Sequence, residues 1–320
     1  MPRPPRNPPD ELLEAYTLNG SVAYERVYID DTDDGAPTHY AYPAAEVDIM
    51  LRSAHGMVAS HSRAPRQDAP AGARSAASLL VEAVVSTLAL TGAASSAVVF
   101  GSQDPWAECL LLALGASAVT TVDYNDLTYE HPALRTMSVA ALEEQLYAPT
   151  PPIFDLAVSL SSFDHDGLGR YGDRLSPEGD LRAMATAWRA LRPGGHLLLT
   201  VPVGPDALVW NLHRRYGRRR LPLLLAGWEE TARLDWEARR LDELDDELGA
   251  DSVAALRAFS ARSYEPMYVL RRNGSAADGL RNEWALRVAS ASFMDDGNAA
   301  VEQSPQPVSL TGQCQDRAPG

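Results

Sequence analysis

The sequence predicts an α/β fold built on a doubly wound, mostly parallel sheet. Strand and helix patterns alternate over residues 76–202, and the predicted strands are short, nearly continuous apolar runs such as residues 97–100. Strands of this kind are buried on both faces by helices, as in parallel sheets with right-handed crossovers. Gly92 and Gly115 separate successive elements. The pattern is therefore Rossmann-like, with ligands expected beyond the carboxyl ends of the strands.

Each element of this domain has its own local signal. Asp104 and Pro105 begin one helix, because aspartate accepts orphan amide hydrogens and proline suits a first turn; Ser176 and Pro177 begin another. We expect helices over residues 76–89, 106–114, 139–147 and 176–191, and strands over residues 97–100, 118–123, 134–137, 154–160 and 196–201, followed by an antiparallel last strand over residues 264–270.

Composition divides the chain into three parts. Residues 1–75 are rich in Pro, Ala, Asp and Arg and predict an irregular N-terminal extension. Residues 76–272 form the α/β domain, and residues 204–262 read as a helical insertion because residues 229–248 are acidic and amphipathic. Residues 273–320 read as a polar tail, with disorder expected toward its end.

Charge and cysteine content narrow the function classes. A net charge of −15 and a pI near 4.9 disfavour binding to nucleic acid or to a membrane surface, so we expect a small-molecule partner. Cys109 and Cys314 are far apart, which indicates neither a disulfide framework nor a cysteine zinc site. The proline-rich N-terminus lacks the apolar core of a signal peptide, and we expect a cytoplasmic location.

Two features at strand ends are candidates for ligand binding. The turn after the first strand contains Gly101, Ser102 and Gln103, where backbone amides and a helix start can receive a polar group; alone it is equally an ordinary turn. Its single glycine does not match the dinucleotide pattern Gly-x-Gly-x-x-Gly. Asp123 ends the second strand, about twenty residues on, where a carboxylate can accept both ribose hydroxyls. The alternative for Asp123 is a solvent-exposed acid.

Several longer segments resemble known proteins. The turn at Pro193 and Gly195 resembles the one before the fifth strand of class I methyltransferases, where it is structural. Over residues 76–270 the chain resembles the family called domain of unknown function 268, which is methyltransferase-like. The segments that carry this resemblance are residues 101–106, 121–125, 159–173, with the run Gly-Leu-Gly-Arg-Tyr-Gly-Asp, and 210–217.

The resemblance implies a fold of the class I S-adenosylmethionine-dependent methyltransferase type and S-adenosylmethionine as the cofactor. It further implies a place for each matched residue around that cofactor. Gly101, Ser102 and Gln103 would lie against the methionine end, Asp123 would hold the ribose, Tyr124 would flank the adenine, Ser138 would be a polar group on the adenine side, and Ser159 with the residues up to Ser162 would line the floor near the methyl group.

The loop after the fourth strand supplies candidates for the acceptor side. His165 could take a proton from an acceptor hydroxyl, with Asp164 or Asp166 raising its basicity, or it could be a loop histidine bonded to backbone. Arg170, Tyr171 and Asp173 could bind an anionic or polyol substrate. The favoured alternative is that Arg170 and Asp173 pair and make the glycine loop rigid.

Other sequence features favour structural or negative interpretations. The basic cluster at residues 213–220 could bind a phosphate or carboxylate, but the favoured interpretation is a solvated or internally paired face, since the acidic segment from Glu229 offers a partner. No spacing of His, Asp or Glu suggests a metal site, and no hydrolase or nucleoside-triphosphatase motif occurs.

Two functions fit these observations. The first is a methyltransferase acting on a small molecule, aligning an acceptor with an activated methyl group. The second is a non-catalytic Rossmann-like domain that binds a nucleoside-type ligand or a protein, motivated by Gln103 in the position of a second glycine. Turnover separates the two.

Overall fold

The computed structural model describes residues 3–61, 74–91, 96–242 and 264–273. The strands are Ala23–Val27 (β1), His39–Tyr42 (β2), Ser96–Phe100 (β3), Ala118–Asp123 (β4), Asp126–Tyr129 (β5), Leu134–Ser138 (β6), Phe154–Leu160 (β7), Leu191–Thr200 (β8), Ala207–Asn211 (β9), His213–Arg215 (β10), Glu229–Leu234 (β11) and Met267–Arg271 (β12). The helices are Asp10–Tyr16 (α1), Ala44–His61 (α2), Ala76–Thr91 (α3), Trp106–Ala113 (α4), Val139–Leu146 (α5), Gly179–Ala190 (α6) and Arg220–Leu224 (α7), with 3-10 turns at Phe163–His165 and Ala238–Leu241.

The central sheet has seven strands in the order β11-β12-β8-β7-β3-β4-β6. The pairs β3–β4, β3–β7, β4–β6 and β7–β8 are parallel, and β12 is antiparallel to both of its neighbours. The predicted doubly wound sheet with an antiparallel last strand is confirmed. The chain leaves β3 toward β4 and β6 and later returns to the other side at β7, so the strand order reverses beside β3. Ligands are expected at such a reversal.

Helices cover both faces of this sheet, and successive side chains of β3 show why. Val99 belongs to a hydrophobic core with α2, α3 and α4, whereas Val98 and Phe100 belong to a second core with α5, α6 and α7. Since neighbouring residues in a strand point to opposite faces, a continuous apolar run is buried only when both faces are covered. The turn predicted at residues 192–195 lies inside β8, where Gly194 has a φ of 78° and the pairing with β7 shifts register.

The N-terminal extension is more regular than its composition predicts. It contains α1, α2, β1 and β2; β1 pairs in parallel with β9, and β2 pairs in parallel with β5. Helix α2 packs against α4 and buries Val47 in the first core. The side chains of β1 are mostly exposed, so its backbone pairing with a distant segment, and not its own hydrophobic pattern, makes it a strand.

The segment predicted as an acidic helix begins as a strand. Glu229–Leu234 forms β11, which pairs antiparallel with β12 at the edge of the sheet. The edge of β12 offers unpaired backbone N–H and C=O groups, and hydrogen bonds to these groups favour a strand here more than the hydrophobic pattern favours a helix. Within the part of the insertion that is described, residues 207–215 are also strands. Residues 235–242 contain the 3-10 turn Ala238–Leu241 and no α-helix. Residues 243–248 of the predicted helix and the predicted tail beyond residue 273 lie outside the described residues.

In the described ranges, no helix combines the length and the apolar character needed to cross a membrane.

Candidate functional site

A cavity opens at the carboxyl ends of β3, β4 and β7, beside the reversal in strand order. It has a volume of about 220 Å³ and is partly open to solvent. The residues around it come from the turn after β3, the end of β4 and the loop after β7. They are Val99, Phe100, Gly101, Ser102, Gln103, Asp104, Trp106, Ala107, Asp123, Tyr124, Asn125, Leu160, Ser161, Ser162, His165, Asp166 and Tyr171.

The turn after β3 lies against the loop after β7. Gly101 has a φ of 69°, and its amide donates to the Val122 carbonyl at 2.9 Å. A Cβ atom on Gly101 would overlap the side chain of Ser162. This position therefore needs glycine for its backbone conformation and for the close approach of the two loops.

The side chain of Ser102 is held by the protein beneath the turn. Its hydroxyl lies 2.8 Å from the Asp104 carbonyl and 3.0 Å from a carboxyl oxygen of Glu108. Glu108 is buried in the first turn of α4, and burial raises the pKa of its carboxyl to about 7. Sequence reasoning did not select Glu108; the available signal was a single acid in the otherwise apolar run of α4.

Asp123 is the last residue of β4, as predicted. The alternative prediction, that it is a solvent-exposed acid, is wrong, because it is buried. It is 6% exposed, and its Oδ1 accepts hydrogen bonds from the backbone and side-chain nitrogens of Asn125 at 2.7 and 2.8 Å. Burial raises the pKa of Asp123, and these hydrogen bonds oppose the rise. Tyr124 follows it on the cavity wall.

His165 lies in the short 3-10 turn after β7 and lines the same cavity. Its Nδ1–H donates to the carbonyl of Leu212. This is the kind of backbone hydrogen bond expected if His165 is a structural loop histidine and not a base. Burial lowers the pKa of His165 to about 3, and the charge of Arg170 adds to this effect. Asp164 and Asp166 do not offset this effect, because burial also raises the pKa of both carboxyls and so disfavours their charged forms.

The neutral imidazole of His165 has a defined orientation. With Nδ1–H bonded to Leu212, Nε2 carries the lone pair, 3.4 Å from the Asp164 carboxyl. The ring also packs edge-on against Tyr171, with centroids 5.8 Å apart. His165 can therefore accept a hydrogen bond at Nε2, but it is a weak base.

The predicted substrate-binding trio divides into different roles. Asp173 accepts the amides of Gly167, Gly169 and Tyr171 at 2.8, 2.9 and 3.2 Å, so it makes the glycine loop rigid without pairing with Arg170. Arg170 instead pairs with Asp31 of the N-terminal extension at 2.7 Å. Of the three, only Tyr171 lines the cavity.

Two other predicted cofactor residues lie away from the cavity. Ser138 is exposed and caps α5, its Oγ accepting the amide of Ala141 at 3.1 Å. Ser159 is fully buried within β7, and the cavity floor is formed instead by Ser161 and Ser162.

Arginines of the basic cluster at residues 213–220 pair with acids in several elements. Arg218 pairs with Asp242, in the acidic segment that was predicted as the partner, at 2.6 Å. Arg220 pairs with Asp180 at 3.1 Å, and Arg215 pairs with Glu25 at 3.1 Å. Arg214 is fully buried and donates to main-chain carbonyls of the loop after β7, including that of Asp166 at 2.6 Å. Since Asp166 lines the cavity, Arg214 supports one wall of it.

Among the described residues, no group of three or more His, Cys, Asp or Glu side chains could hold a metal ion.

The sheet, its antiparallel strand and the cavity beyond β3 and β4 define a protein of the class I, S-adenosylmethionine-dependent methyltransferase-like fold. The model of the family described as "Caenorhabditis protein of unknown function, DUF268" matches residues 94–256, which is half of the chain. The chain belongs to this family, and the resemblance in its sequence is confirmed.

Comparison with solved structures gives matches at low identity. The (4+2)-cyclase SpnF is 16% identical, with a TM-score of 0.42 over 75% of this chain and 100% of that one. A Burkholderia thailandensis 1,6-didemethyltoxoflavin-N1-methyltransferase with bound S-adenosylhomocysteine is 18% identical, with a TM-score of 0.41 over 78% and 99%. The N-methyltransferase NodS from Bradyrhizobium japonicum is 13% identical, with a TM-score of 0.35 over 69% and 99%. No curated protein matches the chain in sequence.

Proposed function

We propose that the protein is an S-adenosylmethionine-dependent methyltransferase acting on a small molecule. One observation carries the proposal: a glycine turn that excludes any side chain and a buried strand-end acid, Asp123, line the same cavity. The first lets backbone amides approach a ligand, and the second can accept the two hydroxyls of a ribose. Tyr124 would flank the adenine beside them.

Two of the proposed cofactor residues act through their backbone. Ser102 and Gln103 present main-chain groups of the turn to the methionine end, since the Ser102 hydroxyl is already bonded to Asp104 and Glu108. Gly101 supplies the space for this approach. Ser138 and Ser159 have no part in the proposal, because one caps a helix and the other is buried in β7.

The acceptor would lie on the side of the cavity formed by His165, Asp166 and Tyr171. S-adenosylmethionine supplies a sulfonium methyl group, whose transfer removes positive charge and therefore needs orientation more than acid–base chemistry. His165 would position an acceptor hydroxyl by accepting its hydrogen at Nε2. A strong base is not required of it, which agrees with its lowered pKa.

The charges around the cavity restrict the acceptor. Of the described residues that line it, none is Arg or Lys, while Asp104, Asp123 and Asp166 contribute carboxyl groups. Arg170, the nearest candidate for an anion, is paired with Asp31. We therefore propose an acceptor without a negative charge, because an anion would meet carboxyls and no counter-charge.

The test is calorimetric titration of the protein with S-adenosylmethionine and S-adenosylhomocysteine. Asp123→Ala should weaken binding by about 10- to 100-fold, because hydrogen bonds to a charged group contribute about 1.5–3 kcal/mol. Asp126→Ala is the matched control: this exposed acid is three residues further on, pairs with His39 and does not line the cavity. Failure of the folded wild-type protein to bind either ligand would sink the proposal.

A non-catalytic ligand-binding domain is the second candidate. Gln103 motivates it, because this residue stands in the position of a second glycine of the loop. Transfer of labelled methyl groups to any component of a metabolite pool would exclude this candidate, whereas saturable cofactor binding without turnover on every pool would favour it.

A further inference from the structure

A buried carboxyl group lies directly beneath the proposed cofactor turn. Glu108 has no exposed surface and is one helical turn into α4. Its Oε1 accepts the hydroxyl of Thr121 on β4 at 2.6 Å, and its Oε2 lies 3.0 Å from Oγ of Ser102. A carboxyl group is rarely fully buried without a cation, so its protonation state needs an explanation.

A count of hydrogens at Ser102 indicates that state. Its Oγ is also 2.8 Å from the carbonyl oxygen of Asp104, which can only accept. A serine hydroxyl has one hydrogen, so it cannot donate both to Asp104 and to a carboxylate. Both contacts are hydrogen bonds only if Glu108 carries a proton on Oε2 and donates it to Ser102. The chain then runs from Glu108 through Ser102 to Asp104 with each donor used once.

Ionisation of Glu108 would reorganise the turn. A carboxylate would take the Ser102 hydrogen for itself, because hydrogen bonds to charged acceptors are the stronger ones. The Asp104 carbonyl would then lose the Ser102 hydroxyl and keep the Trp106 amide, which donates to it at 2.9 Å. The turn has one further support from below, the hydroxyl of Tyr129, which donates to the Ser102 carbonyl at 2.5 Å.

The charges around Glu108 favour its neutral form. Burial is the main cause that raises the pKa of Glu108, and the nearby acid Asp104 raises it further. Among the described residues, no Arg or His donates a hydrogen bond to Glu108. Other titratable groups lie on α4 and on the elements around it. Three of them are buried, namely Cys109 on α4, Asp123 on β4 and Tyr129 on β5, and Glu82 on α3 pairs with Arg74. The titratable groups of α2 are not buried; they are Glu46, Asp48, Arg52, His55 and His61.

We propose that Glu108 is a positioning residue for the cofactor: its protonated carboxyl holds Ser102 and Asp104 in the ligand-binding conformation, and its ionisation weakens cofactor binding. This inference rests on the proposed function. It makes cofactor affinity depend on pH near neutrality, since burial raises the pKa of Glu108 to about 7. Glu108 lies in the first turn of α4, after the turn whose residues would contact the cofactor.

The test compares wild type with Glu108→Gln in titrations with S-adenosylhomocysteine at about pH 6 and about pH 8.5. If only the protonated form binds well, wild-type affinity should fall about 30-fold between these values, the loss of the competent fraction for a group titrating near 7. The glutamine amide donates to Ser102 and its oxygen accepts from Thr121, so this variant should bind equally well at both. It also corrects for titration of the ligand's own amino group.

Two further measurements make the result specific. Glu108→Ala should bind weakly at both pH values, because it removes the donor to Ser102 entirely. In the ligand-free protein, infrared spectroscopy should show a protonated carboxyl band that disappears between about pH 6 and about pH 8.5 in wild type and is missing in Glu108→Gln.

The outcomes separate this inference from the function on which it rests. Binding by wild type that does not change with pH, or that changes equally in Glu108→Gln, overturns the role of Glu108 and leaves the cofactor assignment standing. Absence of binding at every pH overturns the cofactor assignment and the inference together. A carboxyl that already ionises at its ordinary, acidic pKa also overturns the inference.

Discussion

Replacing Glu108 by glutamine should change how the stability of the protein depends on pH. The ordinary pKa of a glutamate is 4.5, and burial raises that of Glu108 to about 7 in the folded state. Between these values the folded state binds one more proton at this site than the unfolded state does. The contribution of Glu108 to the free energy of unfolding of wild type therefore falls as pH rises through this window, and this contribution no longer changes well above pH 7.

The magnitude follows from the two pKa values. Their difference corresponds to a loss of about 3 kcal/mol of wild-type stability across the full window, at about 1.4 kcal/mol per pH unit. Glutamine does not ionise, so Glu108→Gln lacks this loss. Between about pH 5.5 and about pH 8, the variant should gain about 2 kcal/mol relative to wild type.

Urea denaturation at a series of pH values measures this difference directly, because all other titrating groups are common to both proteins. Buried Asp164 and Asp166 also have raised pKa values, and their contributions cancel in the comparison. Two parallel curves, with a difference that does not vary with pH, would show that Glu108 has the same pKa folded and unfolded. That result would refute the proton count at Ser102.

Three further experiments test the structural roles assigned to Asp173, Arg170 and Ser138. Asp173→Ala removes the acceptor of three loop amides and should lower the free energy of unfolding by about 2–4 kcal/mol in urea, with a smaller loss for Asp173→Asn, which keeps one oxygen. A double-mutant cycle between Arg170 and Asp31 should give a coupling of about 0.5–1 kcal/mol, since the pair is partly exposed; zero coupling would contradict the pairing. Ser138→Ala should cost about 1 kcal/mol of stability as a lost helix cap, without changing cofactor affinity, and a weakened affinity would restore Ser138 to the site.

The folded unit extends beyond the segment that the family model matches. That segment begins at residue 94, but β1 and β2 precede it and pair with β9 and β5. The extension also contacts the loop after β7, because Asp31 pairs with Arg170 and the Tyr16 hydroxyl donates to the Gly167 carbonyl at 2.5 Å. The N-terminal residues therefore help to hold the loop on the proposed acceptor side.

Much of the central sheet could be predicted from the sequence. The strands expected over residues 118–123 and 154–160 are observed with those bounds as β4 and β7. Contiguous apolar runs between helix and turn signals encode such elements locally, and their alternation restricts the topology to a doubly wound sheet. The spacing of strand ends also selected Gly101 and Asp123, which share the cavity. The sequence by itself thus determined the fold class and the edge of the sheet where a ligand would bind.

The tertiary structure decided the features that depend on partners distant in the chain. Glu229–Leu234 is a strand because β12 offers it a backbone edge, which outweighs a helical hydrophobic pattern. Asp173 bonds loop amides and Arg170 bonds Asp31, a choice that the sequence left open. The raised pKa of Glu108 comes from its burial between α4 and β4, where Ser102 and Thr121 contact it. Burial and hydrogen-bond geometry are properties of the assembled protein, so no local pattern records them.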